Sequence, residues 1–188
     1  MSSLATLDRR VLLAARTRGH GPRRDRLISA YSRSGEHAAC WLALGATGAA
    51  LDAARRGAWL RATVAVAASY GLNYAVKLAV RRPRPQLDGL PPLTPTVSRL
   101  SFPSAHATTS FTAAVAFRGL CRASALYGAA GAFAVSRPYL GVHYPSDVVA
   151  GAALGTAFGL ACAGAGAVGT PVGGAVGAAG AARGAVTD

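Results

Sequence analysis

Five apolar stretches, at about residues 36–53, 58–80, 104–121, 123–136 and 147–168, fill most of this 188-residue chain and leave few ways for it to fold. A helix needs roughly 20 apolar residues to cross a bilayer core, and each stretch is near that length or somewhat short of it. Their hydrophobicity comes mainly from Ala and Gly: apolar residues reach 52% while aromatics are only 7%. The second stretch, AWLRATVAVAASYGLNYAVKLAV, carries Arg61 near one end and Lys77 near the other, where long basic side chains can snorkel toward water. The pattern predicts an all-α, integral-membrane bundle of about five transmembrane helices over residues 36–168.

Charge agrees with a lipid setting. Twenty Lys+Arg face seven Asp+Glu, a formal net charge of +13. The basic residues lie between the apolar runs and in a dense cluster before the first, as expected beside anionic head groups rather than along a nucleic-acid groove. Residues 1–35 hold eight Arg, unlike a cleaved signal peptide. Within them, SLATLDRRVLLAAR puts Leu4, Leu7, Val11 and Ala15 at helical spacing, with Arg9, Arg10 and Arg16 available for the other face. This predicts an N-terminal amphipathic helix at the interface; the alternative is a frayed basic tail. Residues 17–25 read as a turn-rich break, and 169–188 as a disordered Gly/Ala tail. Cys40, Cys121 and Cys162 are far apart and read as small buried hydrophobes. Glycines four apart, such as Gly151, Gly155 and Gly159, suit close helix packing in lipid.

Three polar clusters interrupt the apolar pattern: Lys77 to Pro85, Pro103 to His106, and Ser136 to Asp147. With five spans all three fall on one side of the membrane. Lys, Arg, His, Ser and Asp gathered on one face compose a phosphate site, because phosphoryl transfer is mainly positioning and charge stabilisation. Arg84 and Arg137 can clamp non-bridging oxygens with bidentate guanidinium forks, and Lys77 adds a point charge. Pro103-Ser104 before an apolar run is a helix start, offering the N–H groups of Ala105 and His106 and the Ser104 hydroxyl to an anion. One histidine can attack phosphorus while the other moves the leaving-group proton. Asp147, four residues after His143, can fix the tautomer of that imidazole. A continuous-helix pair is disfavoured by Pro145, and a metal site would want more carboxylates or histidines. Arg81 and Arg82 read as a positive-inside anchor; Glu36 and His37 either sit at head-group level or line the site.

These clusters resemble the signature of the type 2 phosphatidic acid phosphatase (PAP2) superfamily: Lys-x6-Arg-Pro, Pro-Ser-Gly-His, and Ser-Arg-x5-His-x3-Asp. Lys77 with Arg84-Pro85, and Ser136-Arg137 with His143 and Asp147, match without a gap. The resemblance implies a PAP2/haloperoxidase-like helical core and metal- and cofactor-free dephosphorylation. It also implies His143 as nucleophile, Asp147 as its partner and His106 as acid, with Lys77, Arg84, Ser104, Ala105, His106 and Arg137 holding phosphate. Ala105 replaces the usual Gly, which is tolerable if φ there is negative. That change, within SRLSFPSAHATTS and followed by LGVHYPSDVVAG, is similar to decaprenylphosphoryl-5-phosphoribose phosphatases. It implies a polyprenyl-linked phosphomonoester as substrate. The competing readings are another lipid phosphatase, acting on undecaprenyl pyrophosphate, phosphatidylglycerophosphate or phosphatidate, and a non-catalytic lipid-binding protein. The Arg-rich segment on the site's side predicts a cytoplasmic-facing site in the plasma membrane.

Overall fold

The computed structural model describes residues 3–168 and consists there of helices and connecting loops. In chain order these are α1 (Ser3–Thr17), α2 (Pro22–Ser34), α3 (Ala39–Leu51), α4 (Arg56–Val80), α5 (Ala105–Ala116), α6 (Ala123–Tyr139) and α7 (Pro145–Val168). Short 3-10 turns at Glu36–Ala38 and Ala53–Arg55 lead into α3 and α4. The expected tail, 169–188, lies outside the described residues.

Helix α5 is the axis of the bundle. Nine of its twelve residues are buried. Asn73 of α4 donates to Thr108 Oγ1 at 2.9 Å, Trp41 Nε1 of α3 to Ser110 Oγ at 2.9 Å, and Thr112 Oγ1 to the Gly155 carbonyl of α7 at 3.0 Å. The buried hydroxyls that make α5 look only weakly apolar are therefore all engaged, as a low-dielectric interior requires. Glycine sets how closely α7 lies on α5: a Cβ at Gly155 would stand 2.1 Å from the Thr108 carbonyl oxygen, and one at Gly151 2.6 Å from that of Ser104. The small-residue spacing read from the sequence is real here, whereas Gly71, Gly128 and Gly131 face no neighbour within 4 Å. Trp59, Phe117, Trp41 and Phe133 belong to the apolar core around α5.

Several expectations change. The third apolar stretch is helical only to Ala116, then turns; at about 18 Å it is shorter than a bilayer core and is sheathed by its neighbours. Among the described residues, Pro145–Gly164 alone combines the length and hydropathy of a membrane span. The N-terminal region holds two helices. Residues 22–34, expected to begin in a break, form α2, with Pro22 at its first turn, where its missing N–H costs nothing. Helix α1 is amphipathic as read, with Leu4, Leu7 and Val11 facing outward, but its inner face is Asp8, Leu12 and Arg16. Arg16 is not on a solvent face. It is buried, donating to the Pro91 carbonyl at 2.7 Å and the Tyr139 carbonyl at 3.4 Å. His20, given no role by the sequence, bonds Asp25 at 3.0 Å and stacks on Tyr139, so α2 is stapled to α6.

Candidate active site

The three polar clusters meet at one end of the bundle. Lys77 closes α4, Arg84 follows in the loop, Ala105 and His106 open α5, Arg137 ends α6, and His143 precedes α7; all six line one cleft.

His143 is 2% exposed. Its Nδ1 lies 3.6 Å from Asp147 Oδ2, an ion-pair separation just beyond hydrogen-bond reach. The expected Asp–His contact is thus present but slack. Its Nε2 is 3.1 Å from Arg84 Nη1. A guanidinium only donates, so this contact assigns the lone pair to Nε2 and the proton to Nδ1, facing Asp147. Burial, reinforced by Arg84, Arg137 and Lys77, holds the His143 pKa well below its usual value, so the ring is neutral near pH 7. Burial also lowers the Arg84 pKa to about 10, against a countering pull from Asp147; the side chain remains charged. Arg84 is braced by the Ser98 and Val142 carbonyls, both at 2.6 Å.

Lys77 differs from the simple point charge expected. Its Nζ donates to the carbonyls of Leu100 (3.3 Å), Ser101 (3.2 Å) and Pro103 (2.8 Å). All three ammonium protons are used, so Lys77 fixes the strand of chain leading into α5 and lends charge rather than hydrogen bonds. Ser104 is the N-cap residue of α5, and its N–H donates to the Asp147 carbonyl at 2.9 Å, tying the starts of α5 and α7 together. Ala105 is not among the residues with positive φ, so its methyl group meets no conformational obstacle. Among the described residues the buried Ser104 Oγ and Arg137 Nε have no hydrogen-bond partner. Leaving such groups unmade costs about 1–3 kcal/mol each, which an anion in the cleft would offset.

Residues that the motifs do not contain hold the motif residues. Ser32 of α2, fully buried, accepts from His106 Nε2 on its carbonyl at 2.8 Å, and its hydroxyl accepts from Arg137 Nη1. Asn73 holds Pro103 as well as Thr108. Arg82, expected to be a lipid-facing anchor, is instead paired with Asp147 Oδ1 at 2.8 Å and Asp8 Oδ2 at 2.9 Å. Two carboxylates near one another need a cation between them, and Arg82 is that cation. Arg81 stays at the surface as the αL cap of α4. Glu36 and His37, left open by the sequence, both line the cleft. Asp8 and Ser32 were missed because nothing local marks them; the one available signal was that an acid at position 8 is out of place in an Arg-rich helix.

Comparison with known proteins agrees with this geometry. Decaprenylphosphoryl-5-phosphoribose phosphatase of Mycolicibacterium smegmatis is 42% identical over 122 residues, covering 65% of this chain and 68% of that one. The protein of the same description from Mycobacterium tuberculosis is 42% identical over 131 residues, 68% and 72% of the two chains. Among solved structures, a transmembrane PAP2-type phosphatidylglycerolphosphate phosphatase from Bacillus subtilis superposes with a TM-score of 0.75 at 20% identity, over 92% of this chain and 90% of that one. Aquifex aeolicus LpxE gives 0.70 at 21% identity, over 84% and 95%. At such identities these two speak to the fold alone. The PAP2 superfamily model matches residues 58–166, more than half of the chain and the whole of the cleft's motif residues, and the chain belongs to that superfamily.

Proposed function

We propose that this protein is a membrane lipid phosphatase that hydrolyses decaprenylphosphoryl-5-phosphoribose to decaprenylphosphoryl ribose through a phosphohistidine on His143. The observation that carries the chemistry is the His143 pair of contacts: Nδ1 toward Asp147 and Nε2 toward Arg84, in the wall of a cleft also lined by Lys77 and Arg137.

The reaction runs in two displacements. Arg84, Arg137, Ser104 Oγ and the N–H groups of Ala105 and His106 gather the phosphoryl oxygens, with Lys77 adding charge. His143 Nε2 attacks phosphorus, the P–O bond to the alcohol breaks, and protonated His106 gives its proton to the leaving oxygen. Asp147 stabilises the positive charge that appears on the His143 ring. Neutral His106 then takes a proton from water, which attacks the phosphohistidine, releasing phosphate and restoring both rings. No step calls for a metal ion, so EDTA leaves turnover unchanged.

The sugar-phosphate reading is supported by the 42% identical relatives and by the cleft's second wall. Beside the cationic groups stand Glu36, His37, Tyr70 and Tyr74, acceptors and donors suited to ribose hydroxyls, and a carboxylate there disfavours a second phosphate directly attached to the first. We further place α3, α4, α6 and α7, with α5 enclosed among them, in the plasma membrane as a five-span bundle. The Arg-rich α1 and α2 pack at the site end, which favours a cytoplasmic site under the positive-inside rule. An impermeant thiol reagent added outside sealed cells leaves a lone Leu90→Cys unlabelled; labelling would overturn that orientation.

The deciding experiment is a substrate panel on purified enzyme with EDTA present. Decaprenylphosphoryl-5-phosphoribose should give the highest kcat/KM, ahead of undecaprenyl pyrophosphate and phosphatidate. A preference for either of the latter reassigns the substrate, and no release from any lipid phosphate removes the enzymatic reading.

A further inference from the structure

Resting on the proposed role of His143 as nucleophile, we infer that Asp8 and Arg82 form a positioning pair that orients His143 through Asp147. Asp147 is fully buried and uses its two oxygens differently. Oδ2 accepts from the Tyr144 N–H at 2.9 Å and faces His143 Nδ1, while Oδ1 accepts from Arg82 Nη1 at 2.8 Å. Arg82, on the oxygen opposite the one held by the Tyr144 N–H, thereby completes the fixing of the carboxylate plane that faces the imidazole. A guanidinium on a flexible stem can do this only if it is itself held. The Tyr144 ring lies under it at 4.0 Å, Ser146 Oγ accepts from Nη1 at 2.7 Å, and Asp8 Oδ2 accepts from Nη2 at 2.9 Å.

Asp8 closes the far end. It is 3% exposed and accepts from both the Ser146 N–H, at 2.9 Å, and the Ser146 hydroxyl. Burial alone would raise its pKa, but the hydrogen bonds from Ser146 and Arg82 outweigh that and hold it below the usual carboxylate value, so it stays charged. The chain Asp8–Arg82–Asp147–His143 joins α1, the loop after α4, and the entry to α7. The slack Asp147–His143 contact makes the anchoring matter: a carboxylate held only through Oδ2 by the Tyr144 N–H could tilt and lengthen a contact already at 3.6 Å.

The alternative is that Asp8 merely docks α1. That role has its own anchors in the buried Leu12 and in Arg16, whose hydrogen bonds go to the Pro91 and Tyr139 carbonyls. The test therefore uses full-length enzyme and compares Asp8→Asn, Arg82→Lys and Arg16→Ala, each alone and combined with Asp147→Asn. Asp8→Asn should lower kcat and the rate of phosphoenzyme formation roughly 10–100-fold, the range for loss of an outer partner of a functional side chain, with KM changed little. Arg82→Lys, which keeps charge but not the fork, should lose nearly as much. In the double-mutant cycles Asp8→Asn should add little to Asp147→Asn, whereas Arg16→Ala should add in full. Full additivity of Asp8→Asn with Asp147→Asn, or a loss confined to KM or thermal stability, overturns the proposal.

Discussion

The bundle from α4 to α7 and the arm made of α1 and α2 reach the same two histidines by different means. The bundle supplies groups that face the cleft: Lys77, Arg84, His106, Arg137 and His143. The arm supplies groups that hold them: Asp8 reaches Asp147 through Arg82, and Ser32 grips His106 and Arg137. Placement of the first set follows from short sequence spacings across helix starts and ends. Placement of the second depends on docking elements more than 70 residues away in sequence. Chemistry is thus written locally and its precision is supplied at long range.

The strongest attack on this division is at the proposed nucleophile. His143→Ala should abolish phosphoenzyme formation and lower kcat by about 10⁴-fold or more, as nucleophile removal does elsewhere; near-normal turnover would remove the mechanism. His106→Ala should cost about 10²–10⁴-fold on the lipid substrate. It should still form phosphoenzyme slowly when the leaving group needs no proton. Rapid-quench measurement with a nitrophenyl ester against an alkyl ester separates the two steps.

A second test stays within the bundle but leaves the chemistry alone. Gly155→Ala forces a methyl group against the Thr108 carbonyl, 2.1 Å away, so α5 and α7 must part; the cost should be about 1–3 kcal/mol. Gly71→Ala, with open space around it, should be neutral or stabilising by up to about 1 kcal/mol. Thermal unfolding in detergent reads both, and equal losses would mean that the α5–α7 approach is not set by glycine.

The smallest effect belongs to the arm. Ser32→Ala keeps the carbonyl that holds His106 and removes the hydroxyl that meets Arg137. We expect KM to rise about tenfold, in line with one hydrogen bond to a charged group, with kcat nearly unchanged. A kcat loss as large as that of His106→Ala would show that the arm acts on the chemistry itself.

Much of the bundle was legible in the sequence because its constraints are local. Apolar stretches gave α3, α4, α6 and α7, and motif spacing brought Lys77, Arg84, Ser104, His106, Arg137, His143 and Asp147 to one end. Helix α5 was read too long: Phe117 and Leu120 carry the apolar pattern past its end, while the exposed Arg118 and Gly119 between them mark the turn. Helix α2 was hidden by its Arg residues, which have no apolar periodicity to reveal them. Arg82 was misread for a related reason: beside Arg81 and Arg84 it looked like one more surface charge, and its buried partner Asp8 stands 74 positions earlier.

The contact between Arg84 and His143 has a chemical consequence of its own. At 3.1 Å the guanidinium caps the nitrogen lone pair proposed to attack phosphorus, while the same Nη1 is tethered to the Val142 carbonyl. An uncharged electrophile drifting into the cleft meets a masked ring. On the proposed mechanism, the negative oxygens of a phosphoryl group would compete with the ring for this guanidinium and so free the nitrogen beside the phosphorus. The same contact that masks the imidazole at rest would thus, on that mechanism, reserve it for anions.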